Sequence, residues 1–171
     1  MSATDLLVAI AQIAVALAGF SGLIAAFRTA SPEGWHPRDI WSLAWMLGAS
    51  IGALVLARLP PWLMLFQGTE ASAYRWSSAV ACAYMVVFGT AMAWRGWRLT
   101  RGGYPPRVPL FPSAISVLLV VATLATGAGA AGWLHVSLVP AYVGSLLALL
   151  LVSALVLAIF LVLLARSAQR K

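Results

Sequence analysis

Trp94-Arg95-Gly96-Trp97-Arg98-Leu99-Thr100-Arg101-Gly102-Gly103-Tyr104-Pro105-Pro106-Arg107 is a short basic, aromatic and proline-broken stretch set between two long apolar runs. It holds four arginines. Short connections with an excess of Lys and Arg stay on the cytoplasmic side of a membrane, because carrying them across is disfavoured. Read as a cytoplasmic basic loop over 95–109, the stretch sets the direction of every other segment.

Composition points to the same class. Of 171 residues 63% are hydrophobic and 9% charged, with a mean hydropathy of +0.95. So little polar surface cannot cover a water-soluble globule of this size, so lipid is the expected solvent. The formal charge of +7 is spread over several connections and the C-terminal end, and no basic face is gathered for nucleic acid. Membrane topology accounts for it better. Cys82 stands alone inside an apolar run, which leaves no disulfide framework and no cysteine-based metal site.

Five spans follow, at about 5–27, 40–59, 74–97, 112–133 and 140–165, each near the ~20 residues that cross a ~30 Å hydrocarbon core. The expected fold class is all-α: a single transmembrane domain, an integral membrane bundle of five helices. The acidic start Ser2-Ala3-Thr4-Asp5 reads as a capping box, and it argues against a cleaved signal peptide, which wants a basic start. Along the first span Leu6, Ile10, Ile13, Leu17, Phe20, Ile24 and Phe27 form one bulky stripe, expected toward lipid. Asp5, Ala9, Gln12, Ala16 and Gly19 form a small or polar face, and Ala11, Ala14, Ala18, Ser21, Gly22 and Ala25 another. The first helix is therefore expected between neighbours on two sides.

His36-Pro37 reads as the start of the second helix, since proline is tolerated at the first helical position. Gly48-x-x-x-Gly52 shares a face with Trp41, Ala44 and Trp45, the spacing of close helix crossings. Pro60 and Pro61 cost hydrogen bonds in a regular helix, so this helix is expected to stop at Leu59, with Pro60 to Phe66 an interfacial turn or short re-entrant piece. In the third helix Ser78, Cys82, Gly89 and Ala93 form a narrow small-residue stripe. Ser113, Ser116, Thr123, Gly127 and Ala130 share one face of the fourth. The fifth carries leucine and valine on most faces, which suggests a peripheral position.

With the 95–109 loop inside, Arg28, Arg38, Arg95, Arg98, Arg101, Arg107, Arg166, Arg170 and Lys171 are cytoplasmic, against Arg58 and Arg75 outside. The N-terminus is then outside and the C-terminus cytoplasmic. Trp35, Trp62, Trp76, Trp94, Trp97, Trp133, Tyr74, Tyr104 and Tyr142 fall near span ends, where amphipathic rings favour the headgroup layer. No repeat with matching motifs in two halves indicates an inverted-repeat transporter.

Few residues suggest chemistry. Arg58 is a candidate functional intramembrane charge with Glu70 as its partner on the same side; the plainer role is an arginine snorkelling to the interface. Gln12, Ser113, Ser116 and Thr123 could line a polar path, or bond within packed helices. Gly19, Gly22, Gly48, Gly52 and Gly127 are read as helix-packing positions. His36 with Glu33 and Asp39 has one nitrogen ligand on a turn, too few for a metal site, and a solvated loop is the better reading. Gly127-x-Gly129-x-x-Gly132 matches a dinucleotide fingerprint by letters, but it ends a membrane helix and follows no strand. No metal, cofactor or catalytic residue is assigned, and an enzyme is not expected.

Three resemblances attach to named residues. Gly19-Phe20-Ser21-Gly22 looks like the G-x-S-G signature of rhomboid intramembrane proteases, yet neither His36 nor His135 lies within a span to activate the serine. The five spans, the tryptophans and Val139-Pro140-Ala141-Tyr142 are loosely similar in architecture to the tryptophan-rich sensory, or translocator, protein family. That family's ligands are porphyrins and sterols, and Trp35-His36-Pro37-Arg38 only echoes its first-loop pattern. Ala11-Gln12-Ile13-Ala14-Val15-Ala16-Leu17-Ala18-Gly19-Phe20-Ser21-Gly22, the Trp35-x-Pro37-Arg38-Asp39 turn, Arg58-Leu59-Pro60 and Tyr74-Arg75-Trp76-Ser77-Ser78 resemble a family of small bacterial multi-pass membrane proteins. This last resemblance covers about the first half of the chain and implies a bacterial inner membrane, with no activity.

The expected role is therefore a structural or accessory helix-packing subunit, touching membrane lipids, anionic lipids at the cytoplasmic face, and further copies or other membrane subunits. The alternatives are a small oligomeric channel or transporter, and a porphyrin- or lipid-binding sensor. A channel requires a wetted path along Gln12, Ser116 or Thr123; a binding protein requires an apolar pocket bordered by Trp41 and Trp45.

Overall fold

The computed structural model describes residues 2–29, 36–67, 69–106, 110–134 and 138–168. It is all-helical: α1 (Ala3–Thr29), α2 (Pro37–Gln67), α3 (Glu70–Arg101), α4 (Leu110–Ala130) and α5 (Leu138–Ala168), with no strand among the described residues. All five are long and apolar enough to cross a membrane.

Local chemistry sets the ends. Asp5 N–H donates to Ser2 Oγ at 3.1 Å while Ser2 N–H donates to Asp5 Oδ2 at 2.9 Å, so α1 opens with the reciprocal capping box. Pro37 opens α2, and the His36 Nδ1 accepts from the Arg38 N–H at 3.2 Å, so the imidazole caps the helix. α3 and α4 both close on a glycine in the left-handed region, Gly103 (φ 85°) and Gly132 (φ 80°). Tyr104 N–H reaches back to Leu99 O at 2.9 Å and Trp133 N–H to Ala128 O at 3.0 Å, which satisfies carbonyls that the helix ends leave open.

Four expectations about the helices are corrected. α2 does not stop at Leu59 but runs through Pro60 and Pro61 to Gln67. Pro60 has no N–H for the Leu56 carbonyl, and the Tyr142 hydroxyl of α5 takes that place at 2.6 Å. The basic stretch is not all loop, because nothing before Gly102 breaks the helix. Arg95, Arg98 and Arg101 ride the last turns of α3, with Arg98 4.0 Å from the Trp94 ring centroid and Arg101 3.8 Å from that of Trp97. Cations at a helix C-terminus also oppose the helix dipole favourably. The end of that stretch, 107–109, lies outside the described residues, as do residues 30–35.

α5 is not peripheral. It touches all four other helices, and it buries Tyr142, Leu146, Leu149, Val152 and Val156. In lipid, leucine is as comfortable outside as inside, so an apolar face carries no information about which side it packs. α1 is corrected for the same reason. Ile10 and Ile24, expected toward lipid, are buried with Leu7, Ala14 and Ser21 along one seam, and the partly buried Leu17 completes its alternating spacing of three and four residues. α1 packs on α2 and α5 and touches neither α3 nor α4 among the described residues.

The register is antiparallel along the chain. α2 meets α5 through Ser50 Oγ and Ser153 Oγ at 2.7 Å, with Ser153 also donating to Met46 O at 3.2 Å. α4 meets α5 through Ser145 Oγ to Ala122 O at 3.2 Å. α2 and α4 do not touch among the described residues. Both lean on α3 and α5, and the gap between them on the α3 side is where the site forms.

Candidate functional site

Gly48 and Gly52 let α3 press its aromatic residues onto α2. A methyl group on Gly48 would collide with the Phe88 ring, and one on Gly52 with the Tyr84 ring. Tyr84 and Phe88 stack at 5.5 Å, and the Tyr84 hydroxyl donates to Gly48 O at 2.6 Å. Phe88 then meets Trp45 edge-on at 5.0 Å, and Trp45 meets Trp41 edge-on at 6.0 Å. These rings wedge the Arg38-end half of α2 and the facing part of α3 into one wall.

At one end of this wall, Arg38 is buried and tied to the end of α3. Its Nε donates to Tyr104 O at 2.7 Å, and its Nη2 donates to Thr100 Oγ1 at 2.7 Å and Gly96 O at 3.3 Å. Trp41 Nε1 donates to Met92 O at 3.0 Å. Gly96 keeps this joint close, since a Cβ there would stand 3.0 Å from the Trp41 ring. Tyr104 packs edge-on against His36 at 5.3 Å. The first turn of α2 and the segment after α3 thus form one polar joint.

Between this wall and α4 lies a cavity of about 760 Å³, bordered by Trp41, Trp45, Met85, Gly89, Leu119 and Thr123 and by Arg38 and Thr100 at one end. The volume falls in the range of about 300–1,000 Å³ typical of small-molecule sites. Its lining is mostly apolar. Val86, Thr90, Ser116, Val120 and Leu124 line it and are also exposed, so it opens sideways between α3 and α4 toward the membrane.

Four lining hydroxyls, those of Thr90, Thr100, Ser116 and Thr123, are turned onto their own helices. Ser116 donates to Pro112 O at 2.7 Å, Thr123 to Leu119 O at 2.7 Å, Thr90 to Val86 O at 2.6 Å and Thr100 to Gly96 O at 3.0 Å. Trp45 differs: it is 4% exposed, and its indole N–H has no acceptor among the described residues.

The residues singled out in the sequence divide around this site. Ser113, Ser116 and Thr123 line it, as do Trp41 and Trp45. Gln12 does not. It is exposed on α1, which never reaches α4, so no path joins Gln12 to Ser116 or Thr123 within one chain. Arg58 and Glu70 are both exposed and form no ion pair with each other; Arg58 lies on the outer stripe of α2 with Ile51, Val55 and Trp62. Gly19 and Gly22 have nothing within 4 Å of where a Cβ would stand, so they do not hold helices together inside the chain. A Cβ on Gly127 would stand 3.5 Å from Cys82 Sγ, and one on Gly129 would press on Leu138 and Ser78. Ser21 is buried and donates to Leu17 O at 3.0 Å, which leaves its hydroxyl committed to its own helix.

His36 caps α2, Asp39 is buried and engaged, and Glu33 lies outside the described residues. No group of three metal-ligating side chains occurs among the described residues. The sequence reading missed Arg38, treated there as a loop charge, and Thr90, Gly96 and Thr100. The available signal was Pro37: once it starts the helix, Arg38, Trp41 and Trp45 fall at i, i+3 and i+7 on one face. Comparison with known proteins gives no match to any family model, curated protein or solved structure.

Proposed function

We propose that this multi-pass protein, in a bacterial inner membrane with its N-terminus outside and its C-terminus cytoplasmic, binds a lipid-like molecule in the cavity between α2, α3 and α4. The observation that carries this is the apolar volume of about 760 Å³ walled by Trp41 and Trp45 and open sideways between α3 and α4. A channel is less well supported, because Gln12 stands apart from Ser116 and Thr123. A binding role is the reading that suits the Ser116 and Thr123 hydroxyls, which donate to carbonyls of their own helix.

Native mass spectrometry of the protein released in mild detergent tests the reading. Wild type should retain one lipid-like molecule per chain, and Ala93→Trp, which places a ring in the cavity, should lose it while remaining folded. Equal retention by both proteins would place the molecule elsewhere.

A second role has its own observation. The outer face of α1 presents Gly19 and Gly22 with open space around them and Gln12 exposed in the span. This face suits a packing subunit that meets another membrane helix. Cysteine cross-linking from Ala16→Cys in a Cys82→Ser background tests it, with a dimer band expected and an unchanged monomer contradicting it.

A further inference from the structure

Charge is placed at one end of the cavity only. Arg38, Trp97, Thr100 and Ser113 line that end, and Met85, Leu119 and Leu124 lie toward the other. Thr100 and Met85 stand about 22 Å apart along α3 at 1.5 Å per residue, so the volume is long as well as apolar. Among the described residues no Asp or Glu lines it. Arg38 is 6% exposed, and its hydrogen bonds run from Nε to Tyr104 O and from Nη2 to Thr100 Oγ1 and Gly96 O. All three acceptors are neutral. Nη1 donates to no described residue, and unlike Trp45 Nε1 it keeps accessible surface. Asp39, the next residue, does not line the cavity and already has a partner.

The other donors at this end act with Arg38 or are committed. Trp97 carries the Arg101 guanidinium 3.8 Å from its ring centroid, so a second cation stands beside the lining. Thr100 donates to Gly96 O, and Ser113 already has a partner. A cation largely withdrawn from water is costly until a counter-charge meets it, and a guanidinium N–H suits the oxygens of carboxylate and phosphate. A small inorganic anion would meet Nη1 but leave the apolar length unfilled. Resting on the binding role proposed above, we infer that the occupant is an anionic amphiphile whose head-group oxyanion accepts from Arg38 Nη1 and whose chain lies along Met85, Leu119 and Leu124. It enters sideways, through the opening bounded by Thr90 and Ser116.

Such a head comes from two sources, a free fatty acid and an anionic phospholipid of the bilayer, and the experiment separates them. Binding of tritiated probes to the immobilised full-length protein in a non-ionic detergent is measured by scintillation proximity. The probes form two pairs that differ in head charge alone: palmitate with methyl palmitate, and dipalmitoyl phosphatidate with dipalmitoylglycerol. Ala93→Trp reports whether the binding is in the cavity. Arg38→Gln removes the proposed contact, and Arg101→Gln removes the neighbouring exposed cation.

A preference for the charged member of about 10-fold or more, the effect of one charge-assisted hydrogen bond, supports the inference. Seen in the palmitate pair it names a free acid as the source, and seen only in the phosphatidate pair it names bilayer lipid. Arg38→Gln should abolish the preference while still binding the neutral member, and Arg101→Gln should keep it. A preference that survives Arg38→Gln overturns the inference. Should Arg38→Gln bind neither member, wild type decides: with ¹⁵N-guanidinium arginine and [1-¹³C]palmitate, a dipolar coupling that persists in Arg101→Gln supports the contact, and its absence overturns it. If neutral and charged members bind wild type equally and Ala93→Trp binds neither, the inference is overturned and the binding role stands. If no probe binds, or Ala93→Trp binds as wild type does, the binding role itself falls.

Discussion

The Tyr142 hydroxyl donates to the Leu56 carbonyl at 2.6 Å, and Leu56 is the residue whose helical partner would be the N–H that Pro60 lacks. Tyr142 and Pro60 are both fully buried. A side chain 86 residues away in sequence therefore closes the hydrogen bond that proline opens and lets α2 continue through a Pro-Pro pair. The Tyr74 ring packs edge-on against Tyr142 at 5.7 Å and fixes where the hydroxyl points.

Tyr142→Phe should leave the Leu56 carbonyl unsatisfied at a buried position and cost about 1–3 kcal/mol of stability. Pro60→Ala restores the helical N–H, so in the Tyr142→Phe background it should recover most of that loss. Thermal unfolding in a fixed detergent reads both, as a double-mutant cycle. Simple additivity of the two changes would show that the carbonyl is not what links them.

Gly52→Ala should be more costly than Gly48→Ala. Both substitutions push a methyl group into an aromatic ring, at about 1–3 kcal/mol for an overfilled contact. At Gly52 the displaced ring is Tyr84, whose hydroxyl also holds Gly48 O. Gly19→Ala and Gly22→Ala meet open space and should change monomer stability by no more than about 0.5 kcal/mol. Denaturation midpoints of the four variants check the order, and a destabilised Gly19→Ala monomer would mean that α1 packs on a helix not assigned to it.

Arg58→Gln should leave stability within about 0.5 kcal/mol of wild type, because the side chain is exposed and does not pair with Glu70. Arg38→Gln should behave oppositely. It removes the ties to Tyr104 O, Thr100 Oγ1 and Gly96 O, and hydrogen bonds from a charged donor contribute about 1.5–3 kcal/mol each when counted singly. A limited-proteolysis comparison should show faster cleavage near Gly102 and Gly103 in Arg38→Gln alone. Equal cleavage would remove Arg38 from the joint.

The fold was legible because each span is an apolar run of membrane length, bounded by tryptophans, prolines and arginines. What could not be read was which faces meet. Leu146 and Leu149 are buried and Leu147 and Leu151 are exposed on the same leucine-rich helix, with no contrast in polarity to tell them apart. The continuation of α2 was hidden for another reason: its remedy, Tyr142, belongs to a different helix. Of the site, Trp41 and Trp45 could be foreseen as the border of a pocket, and Ser116 and Thr123 as one face. Their meeting with Gly89 and Thr100 of α3 required the register of α3 against α2, which Gly48 and Gly52 set through Phe88 and Tyr84.

Membrane direction is open to a separate check. In a Cys82→Ser background, Tyr104→Cys should react with thiol reagents only from the cytoplasmic side and Ser72→Cys only from the outside, as the excess of arginines at the Arg38–Arg101 end requires. The reverse pattern would invert the assignment of the Arg38 end of the cavity to the cytoplasmic half.

The most direct measurement of the central claim is a crystal structure grown from lipid with a terminally brominated alkyl ester, phased for bromine. The account predicts one anomalous peak inside the volume bounded by Trp45, Met85 and Leu119. Peaks confined to the outer surfaces of α1 and α5, with Met85 and Leu119 closed against each other, would contradict it.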